Sequence, residues 1–406
     1  MVHARSRGTG FARFWSGSTL SAFGTTATAV ALPVLVIDGI GASAVQVGIV
    51  GAAQFVPYAV LGLIAGVFVD RWRRRRTLIV ASLGRALSLT FIVLLWAMNA
   101  LAIWSLVALL LVFGAFSVFG FAAAQSLLPR LVPRAGLLRA NARLDQGEAA
   151  AQTLGPTLAG ALVRWLGAPL ALIVDVVTYL VEAVLLATVH VEEQPSRRRT
   201  RILPDIREGL SATYRHPVLL PLSLSTHVWF IANAAALTVF SLLVLRALDL
   251  GAVVFGLLLS AAGASTLLGA SFAERTGVRF GEGATITGAR TVYPLAWVLI
   301  ALASSAGSGT GGVVLLFLGL GAGGFAAGIE DANEMSYRQK AVPDGLLGRV
   351  NATGRSVNRT AGAIGAVAGG ALVSVMGETG ALWVVVGLFS VAAGIALFSR
   401  VRSARA

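Results

Sequence analysis

The sequence predicts an all-α membrane protein, with twelve transmembrane helices in two pseudo-symmetric six-helix bundles. Three observations carry this. Apolar residues make up 56% of the 406 and charged residues only 12%, with a mean hydropathy of +0.82, which leaves too few polar side chains to cover a soluble globule. The apolar residues are gathered into runs of about 20, the length that crosses a bilayer as a helix. The second half of the chain also repeats the first.

The first set of runs lies near 14–37, 45–69, 77–98, 101–124, 144–166 and 169–190, and the second near 218–245, 252–273, 285–305, 311–330, 353–376 and 380–399. Arg5, Arg7 and Arg13 precede span 1 as they would a secretory signal. No small-residue cleavage site follows a short apolar core, so the segment is read as a span. Between the sets a polar linker, 191–217, carries Arg197, Arg198, Arg199, Arg201, Arg207 and Arg215. It separates an N-terminal bundle, 1–190, from a C-terminal bundle, 218–406.

The net charge of +14 does not indicate nucleic acid, because the arginines sit in short gaps between apolar runs, as interfacial anchors do. With the N-terminus in the cytoplasm, the inside segments hold Arg5, Arg7, Arg13, the linker arginines, Arg71, Arg73–Arg76, Arg130, Arg134, Arg139, Arg143, Arg275, Arg279, Arg338, Lys340, Arg349 and the C-terminal arginines. Only Arg164 and Arg246 remain outside. That bias predicts a multi-pass protein of the cell membrane (inner or plasma) with both termini cytoplasmic. The absence of cysteine excludes a disulfide framework and a thiolate metal site. No catalytic constellation, metal set or cofactor motif is read, so the chain is not expected to be an enzyme.

A shift of 210 residues places V-P-x-x-x-L-x-R-x-N-A at 132–142 over the same letters at 342–352. The register continues through Gly155 over Gly365, Gly160 over Gly370 and Gly167 over Gly377. Over 132–172, 15 of 41 positions match, where composition alone gives roughly 4. Arg85 of span 3 and Arg290 of span 9 also correspond. Two halves in the same orientation imply a pseudo-two-fold axis along the membrane normal and a substrate site between them.

The basic stretch from Gly66 to Arg76 reads G-x-x-x-D-R-x-x-R-R and resembles the loop between spans 2 and 3 of the major facilitator superfamily. Arg73 stands where that family usually has a second Gly. The duplicated loops resemble those of its drug-efflux branch, which contains macrolide and enterobactin exporters. So do Ser21-Ala22-Phe23-Gly24 and the stretch from Val47 to Tyr58. The resemblance implies a secondary transporter of the major facilitator fold, exporting a small amphipathic molecule such as a drug, an antibiotic or a siderophore-like metabolite. In span 5, Ala151-x-x-x-Gly155-Pro156-x-x-Ala159-Gly160 is similar to the sequence that marks antiporters in the superfamily. Small residues at that spacing allow close helix contact and Pro156 can bend the helix.

The resemblance also implies that span 11 packs on span 2 and span 5 on span 8. Asp70 would then meet Arg355 or Arg359, and Glu148 would meet Arg275. Together with Gly66, Arg71, Arg74 and Asp145, these residues are expected to form a latch that shuts the cytoplasmic side.

No G-x-x-x-x-G-K-[ST] occurs in the chain, so ATP is not expected to drive transport, and an ion gradient, most simply of protons, is. Asp175 and Glu182 of span 6 are spaced i to i+7 and face one way with Thr178 and Tyr179. They and His227 of span 7 are the proton-coupling candidates, each with hydrogen bonding between helices as its structural alternative. Ser18, Ser21, Thr25, Thr28, Phe113, Phe116, Phe119, Trp229, Asn233 and Phe325 are candidate cavity walls, suited to a bulky amphipathic compound. No dense charge cluster is expected deep in the spans. The expected partners are the lipid bilayer, a small-molecule substrate and protons, with no nucleic acid, and a monomer is expected. An uptake symporter or lipid translocator of the same fold is a competing reading, as is a membrane sensor or channel.

Overall fold

The computed structural model describes residues 2–191, 193 and 202–403, apart from the side chains of residues 2–8, 63, 67, 70, 202, 203, 205, 206, 344 and 345. Among the described residues the chain is helical, with no strand. In the first half, α1 (Val2–Val34) runs on into a π-helical turn, Leu35–Gly39, followed by α2 (Ala44–Arg71), α3 (Arg74–Ala97), α4 (Ile103–Leu131), α5 (Leu137–Leu166) and α6 (Ala168–Ala187). The linker contains a short helix, α7 (Ile202–Tyr214). Beyond it, α8 (Leu219–Leu242) ends in a second π turn, Leu243–Ala247, and α9 (Gly251–Phe280), α10 (Glu282–Ala306), α11 (Thr310–Ala341) and α12 (Asp344–Leu397) complete the chain.

Among the described residues ten helices are long and apolar enough to cross a membrane. One of them, α12, holds two spans, because Gly377 leaves helical geometry at φ +70° and turns the chain. The less apolar α5, with Gln152, Thr153, Thr157 and Arg164, is a further span. Several helices outrun the apolar windows on the basic face, α4 to Leu131, α5 back to Leu137 and α11 to Ala341. Hydropathy marks what lies in lipid, whereas the i to i−4 bonds continue into water.

The duplication reaches the backbone. Positive φ recurs at repeat-related turns, at Gly41 (+70°) and Asp249 (+48°), each two residues beyond its π turn, and again at Gly167 (+82°) and Gly377 (+70°). Glycine takes this conformation without strain, and aspartate is one of the few other residues that tolerate it. The two π turns occupy corresponding places at the ends of α1 and α8.

The halves meet through α5 on α9 and α2 on the first arm of α12, the span 5–8 and 2–11 contacts implied by the family resemblance. Small residues set the approach. A Cβ at Gly160 would lie 2.5 Å from the Ala252 carbonyl oxygen and one at Gly48 would lie 2.6 Å from that of Ala366. Gly256 and Gly370 likewise face the backbone of Pro156 and Ala44. Backbones this close gain dispersion contacts that a side chain would forbid. Gly256→Val is therefore expected to push α5 and α9 apart. Cysteine pairs introduced across this seam into the otherwise cysteine-free chain should then cross-link less readily than in the parent.

At the face opposite the basic loops, Leu35, Val36 and Ile37 and their repeat partners Leu243, Val244 and Leu245 are buried in one apolar core shared by both halves. Toward the basic face, α5 and α9 diverge beyond Gln152 and Gly263, and Asp145, Glu148 and Arg275 are all exposed. The space between the halves thus opens on the basic side.

Candidate functional site

Each half carries a polar core inside its helices. In the first, α6 presents one face with Asp175, Thr178, Tyr179 and Glu182 all buried. Asp175 Oδ2 accepts from the Thr28 hydroxyl at 2.5 Å, and Asp175 Oδ1 accepts from Thr178 at 3.2 Å. Gly24 of α1 leaves the room: a Cβ there would meet the Asp175 carboxylate at 2.5 Å. One helical turn on, Thr25 and the Tyr179 hydroxyl are 2.9 Å apart. Two turns toward the basic face, Glu182 accepts from Ser82 at 2.8 Å and from Arg85 Nη2 at 3.0 Å. The Arg85 guanidinium lies 4.1 Å over the Tyr179 ring. The two carboxylates are therefore unlike. Glu182 has a guanidinium to balance its charge, while Asp175 has, among the described residues, only neutral hydroxyl donors within hydrogen-bond reach.

The second half overturns the expectation of charge-poor spans. Arg290 of α10 is 2% exposed and forms a short ion pair with Glu330 of α11, itself 3% exposed. It also donates to Ser225 at 3.0 Å, Thr226 at 2.9 Å and Glu334 at 3.0 Å, and Glu334 in turn pairs with Arg338. Sequence reasoning missed these acids because the apolar window ended at 330, whereas the helix continues eleven residues further, to Ala341. The correspondence of Arg290 with Arg85 was the signal, since a buried guanidinium demands carboxylates. The partners are not repeat-related, because Glu182 lies on α6 and Glu330 on α11.

His227 is bonded at both ring nitrogens, to the Tyr214 hydroxyl at 2.7 Å and to Asn358 Oδ1 at 2.6 Å. It joins the linker helix α7 to α8 and α12, the structural alternative set out for it above. Glu208 of α7 pairs with Arg349 at 2.6 Å and fastens the same helix.

Among the described residues the latch side chains are not drawn together in this conformation. The Asp70 side chain lies outside the described residues. Gly66 and Arg71 are exposed and Arg74 is buried. Glu148 accepts from Gln152 at 3.0 Å, and no ion pair joins it to Arg275 among the described residues. The reason is the divergence of α5 and α9, which leaves these charges in water. Arg355 and Arg359 lie instead on aromatic rings, Arg355 4.8 Å from the centroid of Phe121 and Arg359 5.1 Å from that of Tyr58.

In the antiporter-like motif, Gly160 faces Ala252, Pro156 faces Gly256, and Gly155 faces the Thr26 side chain. Thr157 and Ser260 bond across the same seam at 2.8 Å.

Most of the cavity candidates are engaged in packing. Phe116 covers Gly84, Phe119 lies 5.7 Å from Trp72, and Phe325 lies 5.9 Å from Phe272. Trp229 packs edge-on against Tyr293 and Phe389 inside the second half. Ser21 is buried and its carbonyl accepts from Thr25; Asn233 is half-buried on α8. An aromatic on a span has two apolar destinations, lipid or a neighbouring helix, besides a cavity. Composition does not separate them.

The duplicated twelve-span architecture is matched by the model of the Major Facilitator Superfamily over residues 14–351. The chain belongs to this superfamily. It is a multi-pass membrane protein with a transporter fold. The MFS-type transporter y4rN of Sinorhizobium fredii is 29% identical over 72% of this chain and 70% of its own length. The multidrug efflux pump Tap of Mycolicibacterium fortuitum is 29% identical over 50% of this chain and 51% of its own. A bacterial homologue of the iron transporter ferroportin, solved in an inward-facing state, superposes with a TM-score of 0.78 at 16% identity, covering 96% of this chain and 98% of that one. At that identity the likeness concerns the fold.

Proposed function

We propose that this superfamily member is a secondary active exporter of a small amphipathic molecule, working by proton antiport with alternating access. The observation that carries the reading is the Asp175 site. A carboxylate at 0% exposure, held by two hydroxyls and no cation, is costly as an anion in a low-dielectric bundle. Its protonation is thus coupled to whatever changes its access to water. Rocking of the halves about the α5–α9 and α2–α12 seams changes that access. Arg85, between Glu182 and Tyr179, links the site to the space between the halves.

The likeness to Tap and the Pro156 motif support export as the direction. The arginine bias supports a cell-membrane protein with cytoplasmic termini, so the space seen here opens inward. When the halves rock the other way, Asp70, Asp145 and Glu148 would approach Arg355, Arg359 and Arg275 and latch that side shut. Protein, bilayer, substrate and protons suffice, with a monomer as the working unit.

The test is a drug-accumulation profile in cells lacking other exporters, with and without an uncoupler, followed by counterflow in proteoliposomes. Expected are lowered accumulation of at least one amphipathic compound, its recovery on uncoupling, and exchange of labelled for unlabelled compound. Accumulation raised by the protein would indicate uptake instead, and flux without counterflow would indicate a channel.

A further inference from the structure

On the first arm of α12, Arg355 and Arg359 are one helical turn apart and project toward α2 and α4 of the other half. Like charges at this spacing repel, and such pairs are ordinarily balanced by a carboxylate. Among the described residues neither has one. Arg359 is half-buried between the rings of Phe55 and Tyr58, at 5.7 and 5.1 Å, and Arg355 lies over Phe121. Glu182 is committed to Arg85, and Glu334 to Arg290 and Arg338.

The space beside this group is open. Gly62 and Gly66 follow Tyr58 at four-residue intervals on one face of α2, and a Cβ at either would meet nothing within 4 Å. Guanidiniums held over aromatic faces keep their N–H edges directed outward, in the fork that matches carboxylate, sulfonate or phosphate oxygens. The aromatic rings beside them offer flat apolar surface to the rest of such a molecule.

The geometry points to an organic-anion site at the α2–α12 seam, in which Arg355 and Arg359 bind the acidic group of an amphipathic molecule and Phe55, Tyr58 and Phe121 its apolar body. This rests on the export reading for the role of the site but not for its existence. An anionic phospholipid headgroup offers the same oxygens, and the experiment separates the two sources.

The purified protein in maltoside detergent is titrated calorimetrically with 2-naphthalenesulfonate and with 2-naphthyltrimethylammonium, which share a body and differ in charge. The anion is expected to bind at least about tenfold more tightly than the cation, and Arg355→Gln with Arg359→Gln to erase that difference. Arg359→Lys should retain part of it, and circular dichroism and thermal midpoint report that the variants are folded. Equal binding of both probes, or anion binding indifferent to the double substitution in folded protein, overturns the proposal. In nanodiscs, phosphatidylglycerol should leave the sulfonate affinity as it is in phosphatidylcholine. Loss of affinity there, abolished by the double substitution, would assign the site to lipid and overturn the proposal as well. None of these measurements uses a proton gradient, so failed antiport with intact anion preference rejects the export mechanism alone.

Discussion

Asp175→Asn is expected to abolish proton-driven efflux while leaving the protein folded and able to bind its substrate. Asparagine keeps the shape of the side chain, and its amide can accept from one of the Thr28 and Thr178 hydroxyls and donate to the other, but it binds no proton between the two access states. Coupling lost in this way removes the downhill step, so net transport against a gradient should fall to background, a loss of at least about tenfold. Counterflow, which needs no net proton movement, should persist. Glu182→Gln has a different expected consequence. It takes the counter-charge from Arg85, which is paired at 3.0 Å, and an unbalanced buried guanidinium costs about 3–5 kcal/mol. Its phenotype should therefore include lowered stability, where that of Asp175→Asn does not. The readout is proton flux on substrate addition, followed with a pH-sensitive dye inside proteoliposomes. Substrate-dependent proton flux in the Asp175→Asn, Glu182→Gln double variant would eliminate both carboxylates as carriers.

Arg290→Met should be the most destabilising single substitution outside the helix seams. The side chain balances Glu330 and Glu334 and satisfies Ser225 and Thr226 in a site that excludes water. Removing Arg290 leaves Glu330 buried, charged and without its cation, a cost of about 3–5 kcal/mol. The thermal midpoint in detergent should drop clearly. Adding Glu330→Gln to the same variant should restore part of the loss, because the two substitutions remove one interaction. A control is available in Lys340 and Glu282, whose ion pair at 3.0 Å has a half-exposed lysine. Lys340→Met should cost less than about 1 kcal/mol, the range of solvated pairs. Equal effects of Arg290→Met and Lys340→Met would mean that the Arg290 network is hydrated and contributes little.

The legibility of this chain divides by residue. Asp175 and Glu182 were readable because seven-residue spacing fixes a shared helix face, and a carboxylate inside an apolar run demands a partner. The structure supplies those partners as Thr28, Ser82 and Arg85, from helices that no local pattern connects. Gly167 and Gly377 were readable as repeat partners, and both take the positive φ that a side chain disfavours. Glu330 was not readable, because its distance from the membrane surface depends on where α11 ends, and hydropathy does not mark helix ends. The neighbours of Phe116, Trp229 and Phe325 were not readable for a related reason. A single helix shows which residues share a face, but not which neighbour that face meets.

What the sequence by itself determined is the solvent and the topology. Composition required lipid, the length of the runs set the number of crossings, and the displaced copy required two like-oriented halves. These are properties of single segments or of the chain compared with itself, and no contact between helices enters them. Only the tertiary structure decided which polar groups meet: that Arg85 balances Glu182 and leaves Asp175 to hydroxyls, that Arg290 buries two acids, and that Arg355 and Arg359 lie on aromatic rings. Such pairings depend on helix rotation and on which face of the transporter is open. Both are set by packing over the whole bundle, through glycines that let particular backbones touch.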